Sequence, residues 1–181
     1  MNGKIVVVLT IFIYFNAHAS LHHFSFDGQV TAVNENENST LGIVGIGDIF
    51  SGSFSYADVS DTEPLVGLGE YHQNTTIKMV LGNNTVEHNG FTYIRIWDDL
   101  PAYDSFTFGL DDATANNWMI YSLGFTLTDN SQSVYINDSL PSSFDVSDFD
   151  SLEFDFIGYR QSTGDQFEIR MEIQDISPIP E

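Results

Sequence analysis

The chain has 181 residues, with 5 lysines and arginines against 26 aspartates and glutamates, and its formal net charge is −21 at pH 7. So acidic a surface repels nucleic acids and anionic lipids, and we expect neither as a partner. The absence of cysteine excludes disulfides, thiol nucleophiles and cysteine-ligated zinc. Because 42% of the residues are hydrophobic and 14% are aromatic, the composition also excludes a disordered chain.

The N-terminal residues have the order of features found in secretory signal peptides. One basic residue, Lys4, precedes an apolar run over residues 5–15, and Ala17 and Ala19 then give a small-x-small pattern. This order predicts a signal peptide at residues 1–19, cleaved after Ala19. The apolar run is too short to span a bilayer, which takes about 20 residues. We therefore expect a secreted or periplasmic protein with no membrane segment left after cleavage.

Residues 20–176 are predicted to form one domain, followed by a C-terminal tail at 177–181. Apolar and polar residues alternate through this domain, which is typical of half-buried antiparallel strands. The apolar positions of the alternating runs are Phe24, Phe26 and Val30; Phe50, Phe54 and Tyr56; Ile77, Met79 and Leu81; Phe106, Phe108 and Leu110; Met119, Tyr121, Leu123, Phe125 and Leu127; Leu152, Phe154 and Phe156; and Phe167, Ile169, Met171 and Ile173.

Pairs rich in asparagine, aspartate and glycine, among them Asn83-Asn84, separate these runs and suit tight turns. Asn89-Gly90 lies between two such runs and predicts a two-residue hairpin turn. Because no long stretch after the signal peptide has helical periodicity, the sequence predicts an all-β fold. Short strands with frequent turns favour a single antiparallel β-sandwich of jelly-roll type.

Two groups of aspartates are candidate calcium ligands. Asp111 and Asp112 form one pair, and Asp145, Asp148 and Asp150 form the second group. Calcium takes about six to eight oxygen ligands, mostly carboxylates and carbonyls on loops. Neither group matches the EF-hand spacing, and the sequence favours solvated loops over a specific calcium site. Calcium is therefore an alternative, and the sequence predicts no other cofactor.

Catalytic patterns are weak in this sequence. The segment 52–56, Gly-Ser-Phe-Ser-Tyr, lacks the second glycine of a hydrolase nucleophile elbow and alternates like a strand. The histidines are scattered, and acidic pairs arise from composition alone. We therefore expect a protein that is not an enzyme, with a hydrolase of unrecognised family as one alternative.

Four aromatic residues have two interpretations. Tyr93, Trp97, Trp118 and Tyr121 could form a platform on which sugar rings stack. Aromatic residues in β-sandwiches belong more often to the core. The sequence therefore favours a core position for all four.

Three stretches carry a resemblance to a bacterial family. They are residues 24–33 (FSFDGQVTAV), residues 47–56 (GDIFSGSFSY), and Leu140-Pro141 followed by residues 144–154 (FDVSDFDSLEF). In these stretches the chain resembles exported proteins of Gram-negative bacteria that end in a PEP-CTERM sorting signal. The resemblance implies export, often by environmental species that make extracellular polysaccharide. It implies no known activity and supplies no catalytic residues.

The C-terminal residues differ from that family pattern. Residues 177–181, SPIPE, look like the approach to the sorting signal, but the apolar helix and basic cluster that follow it in the family are absent. We therefore do not expect sorting and anchoring by this route. Either the protein is released free, or the sequence has lost its tail.

The function predicted from the sequence is binding rather than catalysis. The leading hypothesis is an exported acidic β-sandwich with a matrix-associated or binding role, whose partners are extracellular polysaccharide or cell-surface components. The alternatives are a calcium-assisted carbohydrate-binding module and the hydrolase.

Overall fold

The structure, a computed structural model, describes residues 20–35, 44–58, 68–98, 103–115, 118–135 and 139–180. In these residues eight strands pair in chain order, each antiparallel to the next, and the last strand pairs with the first to close a barrel. A one-turn 3-10 helix, Val146–Asp148, precedes the seventh strand. The strands are β1 (Leu21–Glu35), β2 (Ile49–Ala57), β3 (Leu68–Leu81), β4 (Asn84–Trp97), β5 (Asp104–Ala115), β6 (Trp118–Asp129), β7 (Ser151–Arg160) and β8 (Gln166–Pro178).

The all-β, antiparallel prediction is confirmed, but the predicted sandwich of jelly-roll type is not. A jelly roll needs connections that cross between two sheets, whereas these strands form one closed sheet in which β1 pairs directly with β8. Alternation could not separate the two folds, because both bury one face of every strand. Strand β8 ends at Pro178, so Ser177 and Pro178, assigned to the tail from the sequence, belong to the last strand.

Phenylalanine rings fill the interior of the barrel, because eight strands enclose a space just wide enough for side chains. The ring centroid of Phe54 lies 5.0 Å from that of Phe24, 5.0 Å from that of Phe108 and 4.9 Å from that of Phe125. These side chains occupy inward positions that the alternation predicted. The buried phenylalanines of the strands are Phe24, Phe26, Phe50, Phe54, Phe106, Phe108, Phe125, Phe154, Phe156 and Phe167.

Strand β6 departs from the predicted alternation at Tyr121. Its pairing with β7 shifts register between Ile120 and Ser122, which is a β-bulge, and a bulge reverses the faces of the residues beyond it. Ile120 is therefore buried, and Tyr121 is 45% exposed. The prediction that Tyr121 shares the inward face of Leu123 is wrong.

The predicted turn at Asn89-Gly90 is also wrong, because β4 runs straight through both residues. The chain turns at Gly82 and Asn83, between the paired residues Leu81 and Asn84, one residue before the predicted turn pair Asn83-Asn84. Gly82 has a φ of 58°, in the left-handed region that glycine adopts without strain. Gly82, rather than Gly90, therefore supplies the conformation that the turn requires.

A side-chain amide extends the pairing of β2 with β3. The backbone register of the two strands ends at Ser55 opposite Thr76. Beyond it, the Ala57 N–H donates to Gln73 Oε1 at 2.8 Å, and Gln73 Nε2 donates to the Ala57 carbonyl at 3.2 Å. The Gln73 amide thus replaces a missing backbone partner, since it offers one donor group and one acceptor just as a peptide unit does.

One end of the barrel is covered by the segment between β6 and β7, which we call the mouth segment (residues 130–135 and 139–150). The Asp129 carboxylate accepts hydrogen bonds from the backbone N–H groups of Ser133 (2.8 Å), Ser131 (2.7 Å) and Val134 (3.2 Å). These bonds, led by that from Ser133, lower the pKa of Asp129 to about 2 against the opposing effect of burial. Asp129 is therefore an ionised anchor for the start of the mouth segment.

Phe144 holds the later part of the mouth segment against the core. Its ring meets the rings of Phe106 and Phe24 edge-on, with centroids 4.9 and 5.1 Å apart. The Tyr56 hydroxyl donates to the Pro141 carbonyl, and burial raises the pKa of this tyrosine well above its usual value. The interior of the barrel is thus closed by aromatic packing at this end.

Candidate binding surface

Strand β4 carries large side chains on both of its faces. The inward residues Thr92, Ile94 and Ile96 are buried, and the residues between them face outward and are exposed or half-buried. We call the outward row the β4 stripe. It consists of Phe91, Tyr93, Arg95 and Trp97.

The β4 stripe is long and partly apolar. Alternate residues of a strand lie about 6.6 Å apart, so the four side chains extend over about 20 Å. Phe91 is 62% exposed, which is unusual for a side chain of its size. A single exposed apolar residue needs no explanation, but a row of aromatic side chains on one strand is typical of a binding surface.

Strand β3 places Glu70 and His72 beside the stripe, and we call these two residues its framework. Glu70 lies opposite Arg95 and accepts a hydrogen bond from its Nε at 2.9 Å. The other carboxylate oxygen of Glu70 lies 2.6 Å from His72 Nε2. The hydrogen bond from Arg95, aided by that of His72, lowers the pKa of Glu70 although burial opposes the shift. Glu70 is therefore ionised at neutral pH and fixes the guanidinium beside the aromatic rings.

Neighbouring groups also hold the aromatic rings of the stripe in place. The Arg95 guanidinium lies 4.8 Å from the centre of the Tyr93 ring, a cation–π contact. The His72 ring meets Phe91 edge-on at 5.4 Å. A Cβ added to Gly109 on β5 would lie 2.8 Å from the Tyr93 hydroxyl oxygen, so the missing side chain leaves room for Tyr93. The surface is thus ordered before any ligand arrives, which lowers the entropic cost of binding.

The wall formed by β1, β7 and β8 has a different charge pattern. Glu153 lies opposite Glu172, and Asp27 lies opposite Asp175. Like charges placed opposite each other across strands repel. In the β4 stripe and its framework, by contrast, Arg95 and His72 accompany one acid, Glu70. The stripe therefore lacks the repulsion between opposed carboxylates that is present on the wall of β1, β7 and β8.

The structure separates the four aromatic residues that the sequence grouped. Tyr93 and Trp97 lie together on the β4 stripe, and Tyr121 lies on β6. These three are half-buried or exposed, so the core position favoured from the sequence is wrong for them. The side chain of Trp118 lies outside the described part of the structure.

The remaining residues of the surface were missed by the sequence analysis. Phe91, Arg95, Glu70 and His72 belong to no catalytic or metal-binding motif. A usable signal was present in residues 91–97, FTYIRIW, where large side chains occupy both parities of one strand. Such a strand must expose one of its two rows, unless both faces of the sheet are covered.

Two of the calcium candidates on the mouth segment, Asp145 and Asp150, accept hydrogen bonds from other residues of that segment. Asp145 caps the 3-10 helix, accepting from the Ser147 hydroxyl (2.6 Å) and N–H (3.0 Å), and these bonds lower its pKa. Asp150 accepts from the Asn130 N–H at 2.8 Å. Asp148 and Asp145 both line a cavity of about 430 Å³ in the mouth segment.

The structure gives the calcium prediction no support from the residues it describes. Among them, no three His, Cys, Asp or Glu side chains are grouped so that they could hold a metal ion. Asp111 and Asp112 lie on β5, but their side chains are outside the described part. The cleavage residues Ala17 and Ala19 also lie outside the described residues. Calcium binding and signal cleavage thus stay predictions.

Two histidines have carboxylate partners that could orient an imidazole. His22 Nε2 lies 3.0 Å from Asp58 Oδ1, and His72 pairs with Glu70. Nucleophilic catalysis also needs a hydroxyl within hydrogen-bond reach of the histidine. The described contacts of these two histidines are with carboxylates and aromatic rings, and they offer the hydrolase alternative no nucleophile.

No family model, no curated protein and no solved structure matches the chain. Within the described ranges, no helix is long and apolar enough to cross a membrane. The chemistry of the surface itself is therefore the basis for a function.

Proposed function

We propose that this protein is an exported, non-enzymatic binding protein that holds neutral polysaccharide along the β4 stripe. The observation that carries the proposal is the ordered outward row of three aromatic side chains and an arginine, with Phe91 62% exposed. Export follows from the signal peptide predicted at residues 1–19. The matrix-associated role follows from the resemblance to exported proteins of polysaccharide-producing bacteria.

Sugar chemistry fits the two kinds of group in the stripe. A pyranose ring has apolar C–H faces, which pack on aromatic rings, and a rim of hydroxyl groups. Arg95 offers N–H donors and Glu70 offers carboxylate acceptors, and hydroxyl groups pair with both. Because tyrosine and tryptophan have few rotatable bonds, stacking on them costs little side-chain conformational entropy. The length of the stripe suits several consecutive sugar rings.

The charge of the protein selects a neutral chain. With a formal net charge of −21, the protein repels polysaccharides that carry carboxylates or sulfates. The positive charge of Arg95 is already balanced by Glu70 at 2.9 Å. A neutral, hydroxyl-rich polymer binds without this repulsion.

The filled interior of the barrel also supports a role for the outer surface. Eight-stranded barrels that carry a small ligand hold it inside the barrel. Here the rings of Phe54, Phe108 and Phe125 occupy that space with centroids about 5 to 6 Å apart. A ligand is therefore expected on the wall.

Affinity electrophoresis tests the proposal. The protein is run in native gels that contain a neutral polymer (hydroxyethyl cellulose, galactomannan or dextran) or alginate, which is acidic. We expect at least one neutral polymer to slow the protein and alginate to leave its mobility unchanged. In the slowing gel, Phe91→Ala and Tyr93→Ala should each weaken binding about tenfold, as expected when a buried aromatic contact is truncated.

Ile49→Ala provides a matched control, because Ile49 is a large apolar residue, 60% exposed, on β2 rather than β4. It should bind like the wild type. The proposal fails if no neutral polymer slows the wild type. It also fails if Phe91→Ala and Tyr93→Ala bind as well as Ile49→Ala does.

A further inference from the structure

The outer wall of β6, β7, β8 and β1 carries a groove next to a pair of tyrosines, of which Tyr121 is exposed and Tyr159 is half-buried. The β-bulge turns Tyr121 out of the barrel, and its ring lies 5.2 Å from that of Tyr159 on β7. Beside Tyr121 is a groove of about 240 Å³. Its lining includes Asn34, Tyr121, Ile157, Gln166 and Glu168.

Gly158 belongs to the groove lining, and the strands pack too closely at this residue for a side chain. A Cβ added at Gly158 would lie 2.4 Å from the Met119 carbonyl oxygen and 2.9 Å from the Phe167 ring. The amides of Asn34 and Gln166 each offer donors and an acceptor to a hydroxyl group. Glu168 is held at 2.7 Å by Arg170, so its charge is balanced. An aromatic side and amide groups around a shallow floor suit a sugar ring.

The groove and the β4 stripe lie on opposite sides of the barrel. The eight strands pair in chain order around a closed ring, so β8 is four strands away from β4 in either direction. The groove is centred on β7 and β8, whose residues form most of its lining. A stiff polymer strand that lies along one wall cannot reach the other wall at the same time.

We propose that the groove is a second saccharide subsite, and that the protein cross-links two neutral polysaccharide strands, one on each wall. The ligand class rests on the function proposed for the β4 stripe. What this proposal adds is that a single barrel carries two binding sites for the polymer. Because each wall holds its own strand, one barrel joins two polymer strands that neither site could join alone.

A two-layer capture assay tests the cross-linking. Beads coated with the neutral polymer that slows the protein are loaded with protein and washed, and fluorescent soluble polymer of the same kind is added. The first layer reports total binding and the second layer reports bridging. We expect Tyr121→Ala to keep first-layer binding within about twofold, because the stripe is intact, and to capture at least about tenfold less fluorescent polymer. Phe91→Ala should lose bridging and also lose most of its first-layer binding.

Tyr103→Ala is the control, because Tyr103 is an exposed tyrosine that lies in neither surface. It should bind and bridge like the wild type. Bridging that survives in Tyr121→Ala overturns the proposal, and a dimer that leaves both of its β4 stripes free to bind polymer would give that result. A third result is that the wild type binds the first layer but captures no soluble polymer, while Phe91→Ala loses first-layer binding. That result overturns the cross-linking and leaves the proposed function standing. If the wild type binds no neutral polymer, both proposals fail.

Discussion

The interior of the barrel and the outer face of β4 both present aromatic side chains, in opposite surroundings. Phe54 is 2% exposed and touches rings from several strands, whereas Phe91 is 62% exposed beside His72. The two phenylalanines have the same chemistry, and the face of the strand decides what each can do. Interior rings stabilise the fold by burying apolar area, and outer rings remain available to a ligand.

Truncation of the two rings should separate these roles most clearly. Phe54→Ala leaves a cavity among tightly packed rings, and we expect a loss of about 3–5 kcal/mol in the free energy of unfolding. Phe91→Ala removes an exposed ring and should change that free energy by less than about 0.5 kcal/mol. Urea unfolding followed by tryptophan fluorescence measures both. Equal losses would show that the stripe belongs to the folding core.

Asp129→Asn should have the next largest effect, because it weakens the anchor of the mouth segment. Replacing a carboxylate that accepts several backbone hydrogen bonds should cost about 2–3 kcal/mol. The pKa of Asp129 is lowered from 3.8 to about 2, so its stabilisation is fully present above about pH 4 and is lost as the pH falls towards 2.

Urea midpoints measured from pH 5 down to pH 2 check this expectation. The wild type should lose stability over that range more steeply than Asp129→Asn does. Asp148→Asn is a suitable control, since Asp148 is an exposed acid of the same mouth segment. A wild type and an Asp129→Asn variant with parallel pH profiles would contradict the anchoring role.

Glu70→Gln should have a smaller effect on the outer face. The ion pair with Arg95 is partly exposed, so its loss should cost about 0.5–1 kcal/mol in the free energy of unfolding. Since the pKa of Glu70 is lowered, its contribution is present above about pH 4.5 and declines as the pH falls. Affinity for the neutral polymer should fall with the variant, because Arg95 loses the group that fixes it. Unchanged affinity would show that the framework does not position the stripe.

Calcium should have the smallest effect of all. Two of the candidate aspartates, Asp145 and Asp150, already accept hydrogen bonds from Ser147 and Asn130. We therefore expect the same thermal midpoint in millimolar calcium and in EDTA, because a ligand raises the midpoint only if it binds the folded state. A higher midpoint in calcium would restore the calcium-assisted module, with Asp111 and Asp112 as its first residues to test.

The sequence predicted the buried face of the barrel well, because period-two alternation reports burial directly. Phe24, Phe50, Phe108 and Phe156 all lie inside as expected. The same pattern could not predict closure, because the pairing of β1 with β8 joins residues at opposite ends of the chain. Nor could it predict the bulge at Tyr121, where one extra residue reverses the faces.

The candidate surface was only partly predictable for a related reason. Tyr93 and Trp97 were noted from the sequence, but their association with Glu70 and His72 depends on the register of β3 against β4. That register in turn depends on the turn at Gly82 and Asn83, and the sequence suggested a second turn at Asn89-Gly90 beside the pair Asn83-Asn84. A turn displaced along the chain would have paired Arg95 with a different residue. Turn placement, more than burial, limited what could be inferred about function.

The amide of Gln73 has a consequence for how the barrel opens. Ala57 lies beyond the last backbone pair of β2 with β3, where an amide proton would ordinarily exchange with solvent at once. Its N–H is instead bonded to Gln73 Oε1 at 2.8 Å. Slow hydrogen exchange at Ala57 would therefore report on its hydrogen bond to the Gln73 side chain. The exchange rate would measure how often β2 and β3 separate at the end of the barrel that the mouth segment covers.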